Sequence, residues 1–258
     1  MSLSVILDRT ALGRTLRAPL RFMPPNAQVP ILAGVLRGKK WVVGAGSYEY
    51  WLGSYEYAVQ KELSAAILPG YTVYDLGANV GFYSLLASAL VGPSGRVFSF
   101  EPLPRNLRFL RKHVELNRIR NCSISEVAVG HHAGIARFNS DQAPTMSHAT
   151  FESSGNLDIE VVALDELIVA GRLAPPDLIK CDIGGGEYDA LFGAARTLAA
   201  YGPTVFLATH GSAAHEQCCR LLTDLQFKIT PLDGRPLDQS RAVVATHRTK
   251  PFKANLRI

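Results

Sequence analysis

Three acids, a histidine and a glycine turn carry the chemistry legible in this chain. The turn is Asp75-x-Gly77-x-Asn79-x-Gly81, inside the stretch Val73 to Tyr83. An apolar run from Tyr71 to Leu76 reads as a buried strand, and Phe82 to Leu90 reads as a helix. A strand, a tight glycine turn and a helix start expose backbone N–H groups, and glycines let a ligand approach the main chain closely. A dinucleotide turn needs G-x-G-x-x-G for its pyrophosphate, and here Asn79 stands where a second glycine would lie. An acid at the strand end, Asp75, suits a cationic or amine-bearing ligand. A second apolar strand, Phe98-Ser-Phe-Glu101, ends in an acid 20 residues after Gly81. An acid at that place can hold both hydroxyls of a ribose. S-adenosylmethionine has the matching chemistry: an amino-acid end, a sulfonium, a ribose and no phosphate.

Further stretches sharpen this reading. They are Trp51-Leu-Gly53-Ser-Tyr55-Glu56, Phe100-Glu101-Pro102, Ala128-Val-Gly130, Leu164-Asp165-Glu166-Leu167, and Ile179-Lys180-Cys-Asp182 through Glu187-Tyr188. With the glycine turn, they make the chain resemble the FkbM family of S-adenosylmethionine-dependent methyltransferases over residues 40 to 232. The resemblance implies a class I methyltransferase fold: a Rossmann-like, doubly wound, seven-stranded, mostly parallel α/β sheet. It implies an O-methyltransferase acting on a hydroxyl of a sugar, glycan, polyketide or other secondary metabolite. It also implies a lid formed by Tyr55 and Glu56. For the cofactor it points to Asp75, Gly77, Asn79, Gly81, Phe82, Glu101, Pro102 and Asp182, with Glu126 and Val127 at the adenine end. Two positions depart from the family: Gly184 stands where it carries Glu, and Leu207-Ala-Thr209 replaces an acid before His210.

Methyl transfer to a hydroxyl requires alignment and a proton acceptor. Three residues fall at strand ends beside the turn: Asp182, Glu187 and His210. Asp182 ends the strand expected next to that of Asp75. Glu187 follows Gly184-Gly-Gly186 and opens a helix, where an acid is favoured by the dipole in any case. His210 ends the next strand out and titrates in the useful range. Lys180 alternates with Asp182, and Glu187 or Glu101 is its expected ion-pair partner. No metal is assigned, because no Asp-Asn pair follows the strand after Asp182, and His131, His132, His148 and His215 lack ligand spacing.

These residues need a scaffold. Alternating apolar strands and amphipathic helices predict a parallel-rich, doubly wound sheet. The expected strands include Asn121 to Val129, Asp177 to Cys181, Thr204 to Leu207, and a closing pair at Phe227 to Thr230 and Arg241 to Ala245. Helices are expected at Leu103 to Leu116, Tyr188 to Ala200 and Ala213 to Leu225. In front of them, an amphipathic helix over residues 3 to 20 and a hairpin of Ile31 to Leu36 with Lys40 to Val43 form an extension. The expected division is therefore residues 1–50 as an extension and 51–258 as the methyltransferase domain. Ser47-Tyr-Glu-Tyr50 recurs as Ser54-Tyr-Glu-Tyr57, and Ser54 is placed to cap the helix that follows.

A length of 258 residues suits one large domain. The net charge of +5 comes partly from basic ends and does not by itself call for nucleic acid. An N-P-P-Y-type motif, the mark of many nucleic-acid methyltransferases, is missing after the fourth strand. The four cysteines form no C-x-x-C pair, which predicts a reducing, cytoplasmic compartment. No apolar run reaches membrane-spanning length, and the arginine-rich start only loosely resembles a transit peptide. A non-catalytic module that keeps the fold and docks a partner is the competing reading. The oligomeric state is open, a homodimer included.

Overall fold

A computed structural model describes residues 23–138 and 156–249. The expected helix over residues 3 to 20 lies outside them. In chain order, β1 (Gln28–Pro30) pairs antiparallel with β2 (Lys40–Val42), and two short helices follow, α1 (Tyr48–Leu52) and α2 (Tyr57–Ala66). Then come β3 (Thr72–Leu76), α3 (Phe82–Val91), β4 (Arg96–Phe100), α4 (Pro104–Leu116) and β5 (Cys122–Ser125). A small sheet uses β6 (Ala128–Val129), β7 (Gly134–Phe138) and β8 (Leu157–Val162). The chain continues through α5 (Leu164–Val169), β9 (Leu178–Cys181), α6 (Glu187–Phe192), α7 (Ala195–Tyr201), β10 (Thr204–Ala208), α8 (Ser212–Asp224), β11 (Phe227–Pro231) and β12 (Ala242–His247).

The seven-stranded sheet has the order β11-β12-β10-β9-β3-β4-β5. From β5 to β10 all pairs are parallel, and β12 runs antiparallel to both of its neighbours. This is the doubly wound class I methyltransferase sheet. Its central strands are apolar on both faces because helices cover both. Successive side chains feed opposite cores. Val73, Leu178 and Phe206 pack with Trp41, Leu63, Phe82 and Leu85 on one side. Tyr74, Ile179 and Val205 pack with Leu164, Leu191, Leu198 and Leu222 on the other. The first core also takes in Ile31, Leu36 and Trp51 from the segment ahead of β3.

Four local expectations are corrected. The first strand of the N-terminal pair is Gln28–Pro30, and residues 31–36 form a loop instead. Ser54 caps no helix: α2 starts after Glu56, which sits in the left-handed region at φ 44°, and the Ser54 N–H donates back to the Glu49 carbonyl. The expected strand from Asn121 to Val129 splits, its second part crossing to the small sheet. The expected helix from Tyr188 to Ala200 is two helices, broken at Gly193. There the main chain presses on Gly130, so that a Cβ at Gly193 would lie 2.1 Å from the Gly130 oxygen. Asp165 tops the second of them, accepting the N–H groups of Arg196 and Thr197 and the Thr197 hydroxyl. An acid at a helix N-terminus answers the unpaired donors there. The Leu164-to-Leu167 motif thus has a structural task in this chain.

Among the described residues, no helix is long and apolar enough to cross a membrane. All four cysteines are free.

Candidate active site

A cavity of about 450 Å³ opens at the carboxyl edge of the sheet, above β3, β4, β9 and β10. Open α/β sheets place ligands there. One wall is the glycine turn. Gly77 (φ 77°), Asn79 (φ 49°) and Gly81 (φ 95°) all adopt left-handed backbone. Gly77 has a second constraint: a Cβ on it would lie 2.0 Å from the backbone oxygen of Asp182. The turn after β3 and the turn after β9 therefore touch main chain to main chain.

Glu101 forms the next wall. It is buried and accepts the Asn79 N–H at 2.8 Å, the Leu103 N–H at 2.9 Å and the Asn106 amide at 3.2 Å. Burial pushes its carboxyl up, and these three donors pull the other way. The carboxylate is thus fixed in place at the cavity edge.

The opposite wall carries a titrating pair. His210 Nδ1 lies 2.9 Å from Glu187 Oε1, and its Nε2 lies 3.8 Å from Asp182 Oδ1. Glu187 has no exposed surface and also accepts the Gly185 N–H at 2.8 Å. Burial would raise the Glu187 carboxyl, but the His210 and Gly185 hydrogen bonds outweigh it and hold the group below its ordinary value. The hydrogen bond that His210 donates to Glu187 in turn lifts the imidazole above its ordinary value, helped by the charge of Asp182. An ionised Glu187 only accepts, so Nδ1 carries the hydrogen and Nε2 presents a lone pair.

The roof is aromatic. Tyr50 and Tyr55 stack at 4.1 Å, Tyr55 meets Phe82 edge-on at 5.5 Å, and the Tyr83 hydroxyl donates to Glu56 Oε2 at 2.6 Å. Behind this roof Trp41 stacks on His113 at 3.8 Å.

The expected site residues divide as follows. Tyr55, Glu56, Gly77, Asn79, Phe82, Glu101, Pro102, Val127, Asp182 and His210 line the cavity. Glu187 stands behind His210. Asp75 is buried beneath the turn: Oδ2 accepts the Ser84 hydroxyl at 2.7 Å, and Oδ1 faces Lys180 at 3.4 Å. It supports the turn from below and forms no part of the cavity wall. Gly81 packs against Leu110, 2.5 Å from where a Cβ would be. Glu126 turns outward into an exposed ion pair with Arg111, so only Val127 of that pair faces inward. Lys180 pairs with Asp75 and Asp182, correcting the expected Glu187 or Glu101. Sequence reasoning missed Ser47, Tyr50, Asn106 and Phe138, which also line the cavity. The Ser47-to-Tyr50 copy of the repeat was the available signal, since both copies reach the site.

The wall chemistry fits S-adenosylmethionine. A fixed acceptor, Glu101, suits ribose hydroxyls, the glycine turn leaves room beside its main chain, and carboxylates with aromatic faces suit a sulfonium. Glu101 with the turn from Gly77 to Asn79 would hold the nucleoside, and Tyr55, Glu56 and Asp182 would flank the charged end. No group of three His, Cys, Asp or Glu side chains among the described residues is arranged to hold a metal ion.

The sequence is similar to those of known methyltransferases. The hexuronic acid methyltransferase AglP of Haloferax volcanii is 23% identical over 165 residues, covering 62% of this chain and 66% of its own length. An arsenite methyltransferase of Halobacterium salinarum is 37% identical over 67 residues, 26% of this chain and 17% of its own. The crystal structure of an FkbM methyltransferase from Methylobacillus flagellatus KT shares 18% identity, with a TM-score of 0.49, over 79% of this chain and 56% of its own. The chain thus spans just under two thirds of the first relative and little more than half of that crystal chain. The model of the FkbM methyltransferase domain matches residues 75–229, which run from the acid beneath the glycine turn to the outermost strand of the sheet, and the chain belongs to that family.

Proposed function

We propose that this chain is an S-adenosylmethionine-dependent O-methyltransferase that uses His210 as its general base. The cofactor supplies an electrophilic methyl group on a sulfonium. The acceptor is a hydroxyl of a sugar, glycan, polyketide or other secondary metabolite, set against the wall of Asp182 and His210. His210 Nε2 takes the hydroxyl proton as the new O–C bond forms and the methyl–sulfur bond breaks, with S-adenosylhomocysteine as the leaving group. Glu187 keeps Nδ1–H in place throughout, which fixes the tautomer and the ring plane. Asp182 Oδ1 lies 3.8 Å from Nε2, so its charge favours the imidazolium that the reaction creates. A correctly held weak base suffices, because the hydroxyl proton need leave only as the methyl arrives. A general base of this kind supplies roughly 10²–10⁴-fold in rate.

One observation carries this reading: the Glu187–His210 pair faces Glu101 and the glycine turn across a single cavity. A module that merely docks a partner has no use for a buried acid that orients an imidazole toward that space. The hexuronic acid in the name of the archaeal relative makes glycosides the first acceptors to try.

The test combines calorimetry with S-adenosylhomocysteine and methyl transfer to a panel of sugar glycosides and hexuronates, read by mass. Binding with transfer that is lost in His210→Ala is the expected result. Binding with unchanged transfer in His210→Ala moves the base elsewhere. Failure to bind the cofactor product overturns the whole reading.

A further inference from the structure

Lys180 has no part in the proton transfer above, yet it contacts both the glycine turn and the turn after β9. It is buried on β9, directly opposite Asp75 in the β3–β9 register. Its Nζ donates to the Gly77 carbonyl at 3.2 Å. It lies 3.4 Å from Asp75 Oδ1, 3.7 Å from Asp182 Oδ2, and 5.2 Å from the centre of the Tyr83 ring. The two acids are divided with little overlap. Asp75 gives its other oxygen to Ser84, and its Oδ1 makes no hydrogen bond, so Lys180 is the charge that answers it. Asp182 gives Oδ2 to Lys180 and turns Oδ1 to His210.

We propose that Lys180 is a positioning residue that ties the glycine turn to the turn after β9 and holds the Asp182 carboxylate in its place beside His210. Strand alternation puts residues 180 and 182 on one face, so a long cation at 180 reaches past the sheet edge to the carboxylate at 182. Burial works against the ammonium, and the charges of Asp75, Asp182 and Glu56 outweigh it, so Lys180 stays protonated. Its charge then acts on His210 in two ways. It attracts Asp182, which would otherwise swing fully to the imidazole, and it repels the imidazolium directly. Among the charged groups acting on His210 are Glu187 from α6, Asp182 from the turn after β9, and Lys180 from β9 itself. Lys180 is the one cation among these three.

The inference rests on His210 as the base for its catalytic meaning, but its test does not. The readout is the titration of the His210 ring by nuclear magnetic resonance in the ligand-free protein, with the signal assigned by its loss in His210→Ala. Replacing Lys180 alone strands the Asp75 charge, so the variants are Asp75→Asn and the double variant Asp75→Asn with Lys180→Met, which leaves a neutral buried pair. The expected result is a His210 midpoint about one pH unit higher in the double variant than in Asp75→Asn. Lys180→Arg, which keeps the charge, should leave the midpoint near that of the wild type. An unchanged midpoint in the double variant overturns the proposal. Should the double variant fail to fold, Asp75→Asn with Lys180→Gln makes the same comparison with a neutral polar side chain in place of the ammonium. It should raise the midpoint above that of Asp75→Asn, and an unmoved midpoint there overturns the proposal as well. Retained methyl transfer in His210→Ala, alongside a moved midpoint, would remove the base and leave the positioning role standing.

Discussion

The Nδ1 atom of His210 sits 2.9 Å from Oε1 of Glu187, a carboxylate with no surface in contact with solvent. A buried anion on one side of an imidazole favours the charged ring and so delays the appearance of the free base. Methyl transfer should therefore rise with pH through a midpoint above the ordinary histidine value of 6.5 and then level off. Glu187→Gln removes the largest cause of that displacement and should move the midpoint down. His210→Ala should slow single-turnover transfer by roughly 10²–10⁴-fold. A rate independent of pH in the wild type would rule out this base.

Glu101 offers a cleaner test of cofactor binding. Its oxygens are held by Asn79, Leu103 and Asn106, so Glu101→Gln keeps the shape and removes the charge. Loss of a charge-assisted hydrogen bond costs roughly 1.5–3 kcal/mol, which is about tenfold or more in affinity. Calorimetry with S-adenosylhomocysteine should show that loss, and unchanged affinity would take Glu101 out of the ribose site.

Gly77→Ala should harm both fold and binding. The position needs φ 77°, and its Cβ would lie 2.0 Å from the Asp182 oxygen. Left-handed backbone alone costs roughly 1–2 kcal/mol for a residue with a side chain, and the clash adds to it. Thermal unfolding should show a clear fall in Tm together with weakened cofactor binding.

His113 links acid pH to stability. Its Nε2 accepts the Val42 N–H at 3.0 Å, and its Nδ1–H donates to the Val80 carbonyl at 2.8 Å, so the folded ring is neutral. Burial lowers it to about 4, with the Val80 bond acting the other way. Between the unfolded value of 6.5 and about 4, the unfolded chain binds a proton that the folded chain refuses. This contribution is complete above that window and is lost as pH falls through it, on the order of 3 kcal/mol in all. Urea unfolding across the window should show it, and His113→Gln should flatten it.

The segment from Trp51 to Tyr57 offers another kind of readout. The Tyr83 hydroxyl holds Glu56 at 2.6 Å, so Tyr83→Phe should raise hydrogen exchange from Trp51 to Tyr57. Addition of S-adenosylhomocysteine should lower it in the wild type. Exchange indifferent to the ligand would make the segment a wall with no closing motion.

Much of this was legible in the residues. The apolar runs around Asp75, Glu101, Lys180 and Leu207 gave the strand ends, because parallel central strands are buried on both faces and read as continuous apolar stretches. The acids at those ends followed. What escaped was decided by contacts between distant segments. Glu126 faces outward because Arg111, one helix away, holds it there. The helix after Glu187 breaks because Gly193 abuts Gly130. Tyr50 reaches the cavity because α1 turns back on Trp41, which stacks with it at 5.1 Å. Lys180 chose Asp75 because strand register put the two side by side. Periodicity reports the face of a residue but not its neighbour across the sheet.

The contact between Gly77 and the Asp182 carbonyl leaves space for nothing larger than a hydrogen atom. Any attempt to evolve this chain toward new acceptors in the laboratory therefore has an unequal field of choice. Length changes in either turn would shift the cofactor cradle and the Asp182 carboxylate beside His210 together, so activity would vanish before specificity could change. Ser47, Tyr50 and Phe138 border the same space from segments that take no part in that contact. A library built on those three positions can reshape the cavity wall while the two turns keep their register.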